Sequence, residues 1–325
     1  MRIVWVSFAP LDKQGSKVTS SMASVRYRML IPSAAMADCD SKVTHLAAGA
    51  NRRTLMERFR GADAVVLGKL FGGEREAAMA LDLVATLKAA GTAVLADYSD
   101  DHFSNPERGG AYRALANAVD RAIASTPGLA EVIAQHSPAP VSVVTDPVEG
   151  ARGEPHAPQA TPLRLLWFGH PSNLDTLQYA LPQLQGLPVS VTLITAPGTG
   201  AEQLGARFRP WSTQAVFDEL RQCDAVFIPS NPYDPRKAVK SPNRFTESVW
   251  AGRFVLAHPL PAYQELADFG WVGEDLGAGV RWLAEHRDEA LERIRRGQAA
   301  IAERFSPRAV GTAWKEAIVL ATGRG

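Results

Sequence analysis

The side chains best suited to chemistry lie in one stretch, Cys223 to His258. There an apolar run, Ala225 to Ile228, ends at Pro229-Ser230, and a basic loop follows with Arg236, Lys237 and Lys240. Ser241-Pro242 reads as a helix start, because a Ser oxygen can accept from free backbone N–H groups and Pro costs nothing in a first turn. The helix runs to about Ala251 with Gly252 as its stop, and Phe254 to Ala257 is the next strand. A helix amino end at the carboxyl end of a parallel strand presents unpaired N–H groups and a positive dipole. Ser241, Lys240 and Arg244 at that point make an anion site. Glu247 follows Asn243 by four residues and Arg244 by three, so it can share their side of the helix. A cationic mouth backed by one carboxylate suits a diphosphate joined to a ribose. A solvated loop beside an ordinary surface ion pair would use the same residues at the same spacing.

A second candidate is Asp97-Tyr98-Ser99-Asp100-Asp101-His102-Phe103, which follows the apolar run Ala93 to Ala96. Three carboxylates and a histidine at the carboxyl end of a parallel strand stand where open α/β sheets place ligands. They could hold a sugar hydroxyl, supply a general base or bind a divalent cation, or the loop could only cap the next helix.

The elements that must position these groups alternate along the chain. Ile3 to Phe8 is a strand. The segment Ala9 to Ser24 is rich in Gly, Ser, Thr and Lys, and a helix follows from Val25 to about Ala37. Gly15 stands alone there, so the G-x-G-x-x-G fingerprint of a nicotinamide dinucleotide site is absent. Strands follow at Val43 to Leu46 and Ala64 to Leu67, the latter ending at Gly68-Lys69. A helix spans Glu74 to Ala90, and short strands at Ala122 to Ser125 and Val141 to Val144 flank a helix from Gly128 to Gln135. Glu149 to Pro162 is dense in Pro, Gly and Ala, has no apolar period, and reads as a linker with a solvated His156.

The pattern then restarts. Leu163 to Phe168 is a strand, followed by Gly169-His170-Pro171-Ser172-Asn173 and a helix through Leu184. Strands at Val189 to Thr195 and Gly205 to Pro210 precede a helix from Gln214 to Arg221. Helices at Gly277 to His286, Asp288 to Arg304 and Ala309 to Leu320 close the chain. The expectation is an α/β protein of two Rossmann-like doubly wound domains facing a cleft, 1–155 and 156–305, with 306–325 as a final helix.

Composition narrows the class. A formal net charge of +1 over 325 residues argues against a general nucleic-acid binder, which shows a basic excess. The only cysteines, Cys39 and Cys223, are too few and too far apart for a disulfide framework or a metal cluster and fit reduced, buried thiols. No apolar run approaches a bilayer span, which points to the cytoplasm. The basic helix Asn51 to Arg60 could make weak peripheral contact with anionic lipid, although a solvated face is the commoner meaning of such a helix. His45, His136 and His286 lack partner spacing for a metal or a triad. His258 ends the strand after the key helix and could border the cleft.

Lys240-Ser-Pro-Asn-Arg-Phe-Thr-Glu247-Ser-Val-Trp-Ala-Gly252 resembles the C-terminal-domain helix of GT-B glycosyltransferases. The likeness is nearest to the retaining nucleotide-sugar group (glycosyltransferase group 1, the E-x7-E families), whose helix reads P-x-K-x-x-E-x-x-A-x-G. The resemblance implies that Arg244 contacts the donor diphosphate and Glu247 the ribose. It places Gly169-His170, Ser172 and Asn173 against the diphosphate, and makes Arg207 to Thr213 a base-reading loop, with Phe208 or Trp211 as a stacking surface and Ser212 beside it. Ser24-Val-Arg26-Tyr-Arg28 and Asp97 to Phe103 are similar to N-domain segments of bacterial surface-polysaccharide transferases. Gly15, Ser16, Arg26, Lys69 and Asp97 then fall on the acceptor side, with Asp100, Asp101, His102 and Lys240 nearest the chemistry. The final helix resembles one that crosses back onto the N-terminal domain.

The implied activity is transfer of a sugar from a nucleoside-diphosphate sugar to a saccharide, lipid-linked or natural-product acceptor, with no metal and no cofactor beyond the donor substrate. Three positions depart from the family. Val239 stands where the first Glu falls, His170 and Asn173 replace an Arg…Lys pair, and the N-terminal glycine-rich loop is reduced to Gly15. A non-catalytic nucleotide-sugar-binding subunit and a sugar-nucleotide epimerase are the alternatives.

Overall fold

The computed structural model describes residues 1–15, 17–47, 52–158 and 161–323. The chain divides into two compact units. The first comprises Met1–Pro147, Val239–Ser241 and Phe305–Gly325, and the second Val148–Ala238 and Pro242–Arg304.

In the first unit the chain runs β1 (Arg2–Ser7), β2 (Asp12–Gln14), β3 (Lys17–Thr19), α1 (Ala23–Val25), a π-helical turn Arg26–Leu30, α2 (Ile31–Ala35), β4 (Asp40–His45) and α3 (Arg52–Phe59). It continues with β5 (Ala64–Leu67), α4 (Glu74–Ala89), β6 (Ala93–Tyr98), α5 (Gly109–Ala118), β7 (Arg121–Ala124), α6 (Pro127–His136) and β8 (Val141–Val143). The main sheet is ordered β4-β1-β5-β6-β7-β8 and is parallel throughout. Its inner strands are apolar at nearly every position because helices bury both faces. Leu83, Val84 and Leu87 of α4, Leu115 of α5 and Leu129 and Ile133 of α6 share one core with Val4, Val65 and Val94.

Two features of this unit differ from the sequence expectation. The segment Ala9 to Ser24 is no bare loop: β2 and β3 form an antiparallel hairpin, turned at Gly15 with φ 63°. The expectation puts no bounds on the helix after the 97–103 loop, because the opening glycines of α5 are weak helix formers. The fold requires one of them, because a Cβ on Gly109 would lie 2.3 Å from the Phe103 carbonyl oxygen.

The second unit contains β9 (Leu163–Phe168), α7 (Leu174–Ala180), β10 (Val189–Thr195), β11 (Arg207–Pro210), α8 (Thr213–Leu220), β12 (Ala225–Ile228), α9 (Pro235–Ala238) and α10 (Asn243–Trp250). It ends with β13 (Phe254–Ala257), α11 (Pro261–Gln264), β14 (Trp271–Val272), α12 (Leu276–Glu285) and α13 (Arg287–Arg304). Its parallel sheet is ordered β11-β10-β9-β12-β13-β14, so the direction of winding reverses between β9 and β12. The crevice outside the carboxyl ends at such a reversal is where doubly wound sheets hold ligands. A last helix, α14 (Pro307–Thr322), belongs to the first unit, where Trp314 meets Trp5 edge-on at 4.8 Å.

The described part of Glu149 to Pro162 is no free spacer. Gly153 N–H donates to the Trp250 carbonyl and His156 N–H to the Gly252 carbonyl, each at 2.9 Å, so this stretch lies along the second unit. Its glycine explains the fit, because a Cβ on Gly153 would be 2.3 Å from the Ala251 carbonyl oxygen. His156 is not merely solvated. Its Nε2 lies 2.9 Å from Oδ1 of the buried Asp224, which Arg164 also holds at 2.9 Å.

Candidate functional site

In the second unit, α10 starts where the basic stretch placed it, but its cap differs. Pro242 occupies the N-cap position with no side-chain cap bond, and the Ser241 hydroxyl instead donates to Asp146, a residue grouped with it in the first unit. Asn243 Oδ1 accepts from the Arg244 N–H at 2.8 Å, so the first turn is closed by its own amide. The Arg244 guanidinium lies over the carboxyl end of β9, with Nη1 3.5 Å from the Phe168 carbonyl oxygen. A Cβ on Gly169 would be in contact with that same Nη1, also at 3.5 Å. Glu247, one turn on, is buried. Arg244 thus sits at the winding reversal, against a glycine whose missing side chain lets the guanidinium and the Trp167 ring approach the strand end.

The other donor-side candidates gather around the same strand end. His170 Nδ1 accepts from the Ser172 N–H at 3.2 Å and lies 2.9 Å from its hydroxyl, so the exposed imidazole caps a short 3-10 turn, Pro171–Asn173. Asn173 Oδ1 accepts from Lys237 Nζ, bringing a cation from α9 to the start of α7. The base-side candidates are divided. Ser212 caps α8 through the Ala215 N–H at 3.0 Å, and Phe208 packs against the unit's apolar core. Both are therefore occupied structurally, and Trp211 is half-buried just past the carboxyl end of β11.

In the first unit, the carboxyl ends of β5 and β6 bring together Lys69, Asp100, Asp101 and His102, and the chain supplies Lys240 to the same place. Asp100 pairs with Lys69, and with Lys240 at 3.1 Å. Burial alone would raise the Asp100 carboxyl, but the two ammonium groups outweigh it and hold that carboxyl well below the usual carboxylate range. A carboxylate so stabilised is a weak proton acceptor, which corrects the expectation of Asp100 as a general base. Lys240 likewise has a carboxylate partner and is no unattached cation at the start of α10. Asp101 Oδ1 accepts from the Phe103 N–H at 3.0 Å and shapes the loop. His102 packs edge-on against Tyr112 at 5.0 Å, and its Nε2 is buried without a hydrogen-bond partner among the described residues. Burial first, and Lys69 second, lower its pKa, so the imidazole is neutral at pH 7.

Four acceptor-side expectations are corrected or lie outside what is described. Asp97 is buried in a structural ion pair with Arg28, Oδ1 to Nη2 at 2.7 Å, and Asp146 closes the group 3.1 Å from Arg28 Nη1. Burial disfavours the Arg28 charge, but the two carboxylates outweigh it and keep its proton more tightly held than usual. Gly15, expected on the acceptor side, is the turn residue of the β2–β3 hairpin. Ser16 lies outside the described residues. Arg26 donates to the Ser21 carbonyl at 2.9 Å and so fixes the loop before α1. Sequence reasoning missed Asp146 and Thr126, whose hydroxyl donates to the Val239 carbonyl at 2.7 Å. Neither carries a local motif, because both act on residues about a hundred positions away. Among the described residues no group of three or more His, Cys, Asp or Glu side chains is placed to hold a metal ion, and no helix is long and apolar enough to cross a membrane.

No family model and no curated protein matches this sequence. Solved structures do match. Anabaena HepE in complex with UDP superposes with a TM-score of 0.71 at 12% identity, covering 98% of this chain and 100% of that one. An alpha-glucosyltransferase in complex with UDP gives 0.69 at 8% identity, with coverage of 98% and 100%. TarM gives 0.56 at 10% identity, over 78% of this chain and 54% of that one. With two parallel Rossmann-like sheets and end-to-end coverage of the first two, the chain has the GT-B fold.

Proposed function

We propose that the protein is a nucleotide-sugar-dependent glycosyltransferase whose second unit holds the nucleoside diphosphate. The observation that carries this is the seating of Arg244 at the carboxyl end of β9, above Gly169, at the winding reversal of the sheet. HepE and the alpha-glucosyltransferase, which share the fold, were both solved with UDP, and UDP is therefore the first ligand to try. Arg244, the amino end of α10 and the loop at His170 would meet the diphosphate, Glu247 the ribose, and Trp211 the base. As the sugar leaves, charge builds on the diphosphate, and a fixed guanidinium and helix end stabilise it without a metal. In the first unit we assign the neutral His102 as the base for an acceptor hydroxyl of a saccharide, lipid-linked or natural-product molecule.

Isothermal titration with UDP, GDP and dTDP tests the donor site. Micromolar to millimolar binding of one of them supports it, and no binding of any at millimolar concentration overturns it. Sugar transfer or donor hydrolysis that persists in EDTA would then support the metal-independent reaction.

A second reading, a nucleotide-binding subunit without transfer activity, is favoured by one observation. Val239 stands where the resembled family has its first Glu, and it is buried in the first unit's core, with its carbonyl held by Thr126. Binding of a nucleoside diphosphate with no donor turnover by the pure protein would select it.

A further inference from the structure

The second unit has a cavity of about 780 Å³ that none of the proposed donor residues lines. Its wall joins α7, the loop after β12, the end of β13 and the start of α12. Its size is that of small-molecule sites, which span about 300–1,000 Å³. Its chemistry is unlike that of a phosphate site. Asp175, Glu274 and Asp275 face it with one cation, Arg281, and Asp275 already pairs with that guanidinium at 3.4 Å. An anionic ligand would meet net repulsion there.

Two aromatic rings, Tyr179 and Tyr233, stand 78% and 80% exposed on the same wall. Large rings this exposed are uncommon in a folded protein, and together they offer flat apolar surfaces beside acceptor oxygens. The Tyr233 hydroxyl donates to Glu274 at 2.9 Å, which fixes ring and carboxylate relative to each other. His258, only 4% exposed, also lines the cavity. Its Nδ1 lies 3.0 Å from the Ser230 N–H, while Nε2 is buried with no partner among the described residues.

Aromatic faces for the C–H side of a pyranose, carboxylates to accept from its hydroxyls and no spare cation describe one ligand class. We infer that this cavity is a second binding site, for an uncharged saccharide, separate in its residues from the donor site. The inference does not depend on the donor-site proposal.

Saturation-transfer NMR on the full chain, with the methyl glycosides of glucose, galactose, mannose and N-acetylglucosamine as probes, tests it. At least one glycoside should bind, and the Tyr179→Ala/Tyr233→Ala double variant should lose about tenfold in affinity while its near-UV circular dichroism and melting stay those of the wild type. Tyr179→Phe/Tyr233→Phe keeps both rings and should remain within about twofold. Absence of binding by all four probes overturns the inference, as does binding that the folded alanine double variant retains. Displacement of the glycoside by UDP also overturns it, because the sugar would then occupy the donor site. Should the alanine variant not fold, Asp175→Asn provides the comparison, and unchanged glycoside affinity in it has the same overturning force.

Discussion

At the residue scale, the chemistry of each charged group follows from what the fold sets beside it. Asp100 lies between two ammonium groups and stays ionised, whereas His102, two positions on, is partly buried near one of them and stays neutral. Because the folded-state pKa of Asp100 lies below the ordinary value of about 3.9, its ion pairs stabilise the fold above that pH. That contribution is lost as pH falls through the folded value. The gap in melting temperature between the wild type and Asp100→Asn should therefore be widest at neutral pH and close as pH drops below about 4. A gap that does not change with pH would show that the carboxylate is not held by the lysines. Under the proposed function, Arg244 bears on binding instead of folding. Charge-assisted hydrogen bonds are worth about 1.5–3 kcal/mol, so Arg244→Ala should weaken UDP by about ten- to hundredfold. Uridine, which lacks the diphosphate, should change little, and calorimetry on both ligands separates the two effects.

At the element scale, α10 shows how a correct boundary can have an unexpected cause. Ser241 and Pro242 signal a helix start, and the helix does start there, but Ser241 turns its hydroxyl to Asp146 and the Asn243 side chain closes the first turn. The far end is determined more firmly. Gly252 has φ 79°, and a Cβ on it would lie 2.0 Å from the Glu154 carbonyl oxygen. Both the backbone conformation and the close approach of the 149–158 stretch demand glycine. Gly252→Ala should cost more than about 1 kcal/mol, read as a lower urea midpoint with an unchanged slope. A neutral substitution would mean that the two segments can part without cost. Helix α5 is the opposite case: its sequence is a poor helix signal, and packing on α4 and α6 in the shared core decides it.

At the scale of the whole molecule, the first unit is completed by segments distant in sequence, Val239–Ser241 and Phe305–Gly325. Trp314 is fully buried there, edge-on to Trp5, with the Arg28 guanidinium 5.2 Å from its ring. Trp314→Ala should cost about 3–5 kcal/mol by truncating a core side chain. Hydrogen exchange should locate the loss in β1, β5 and β6 and leave β9, β12 and β13 protected; equal loss in both sheets would contradict the division into units.

The sequence by itself determined the alternation of strands and helices, the restart after residue 162 and the helix beginning near Ser241. All of these rest on local periodicity and turn chemistry, which a few neighbouring residues carry. Only the tertiary structure decided that Asp97 is a buried partner of Arg28, that Lys240 and Lys69 clamp Asp100, that the 149–158 stretch is bound along its length, and that His258 lines a cavity. The reason is physical: a charge takes its role from whatever is within a few ångströms of it. In these cases the neighbour lies tens to hundreds of residues away along the chain, beyond the reach of any local pattern.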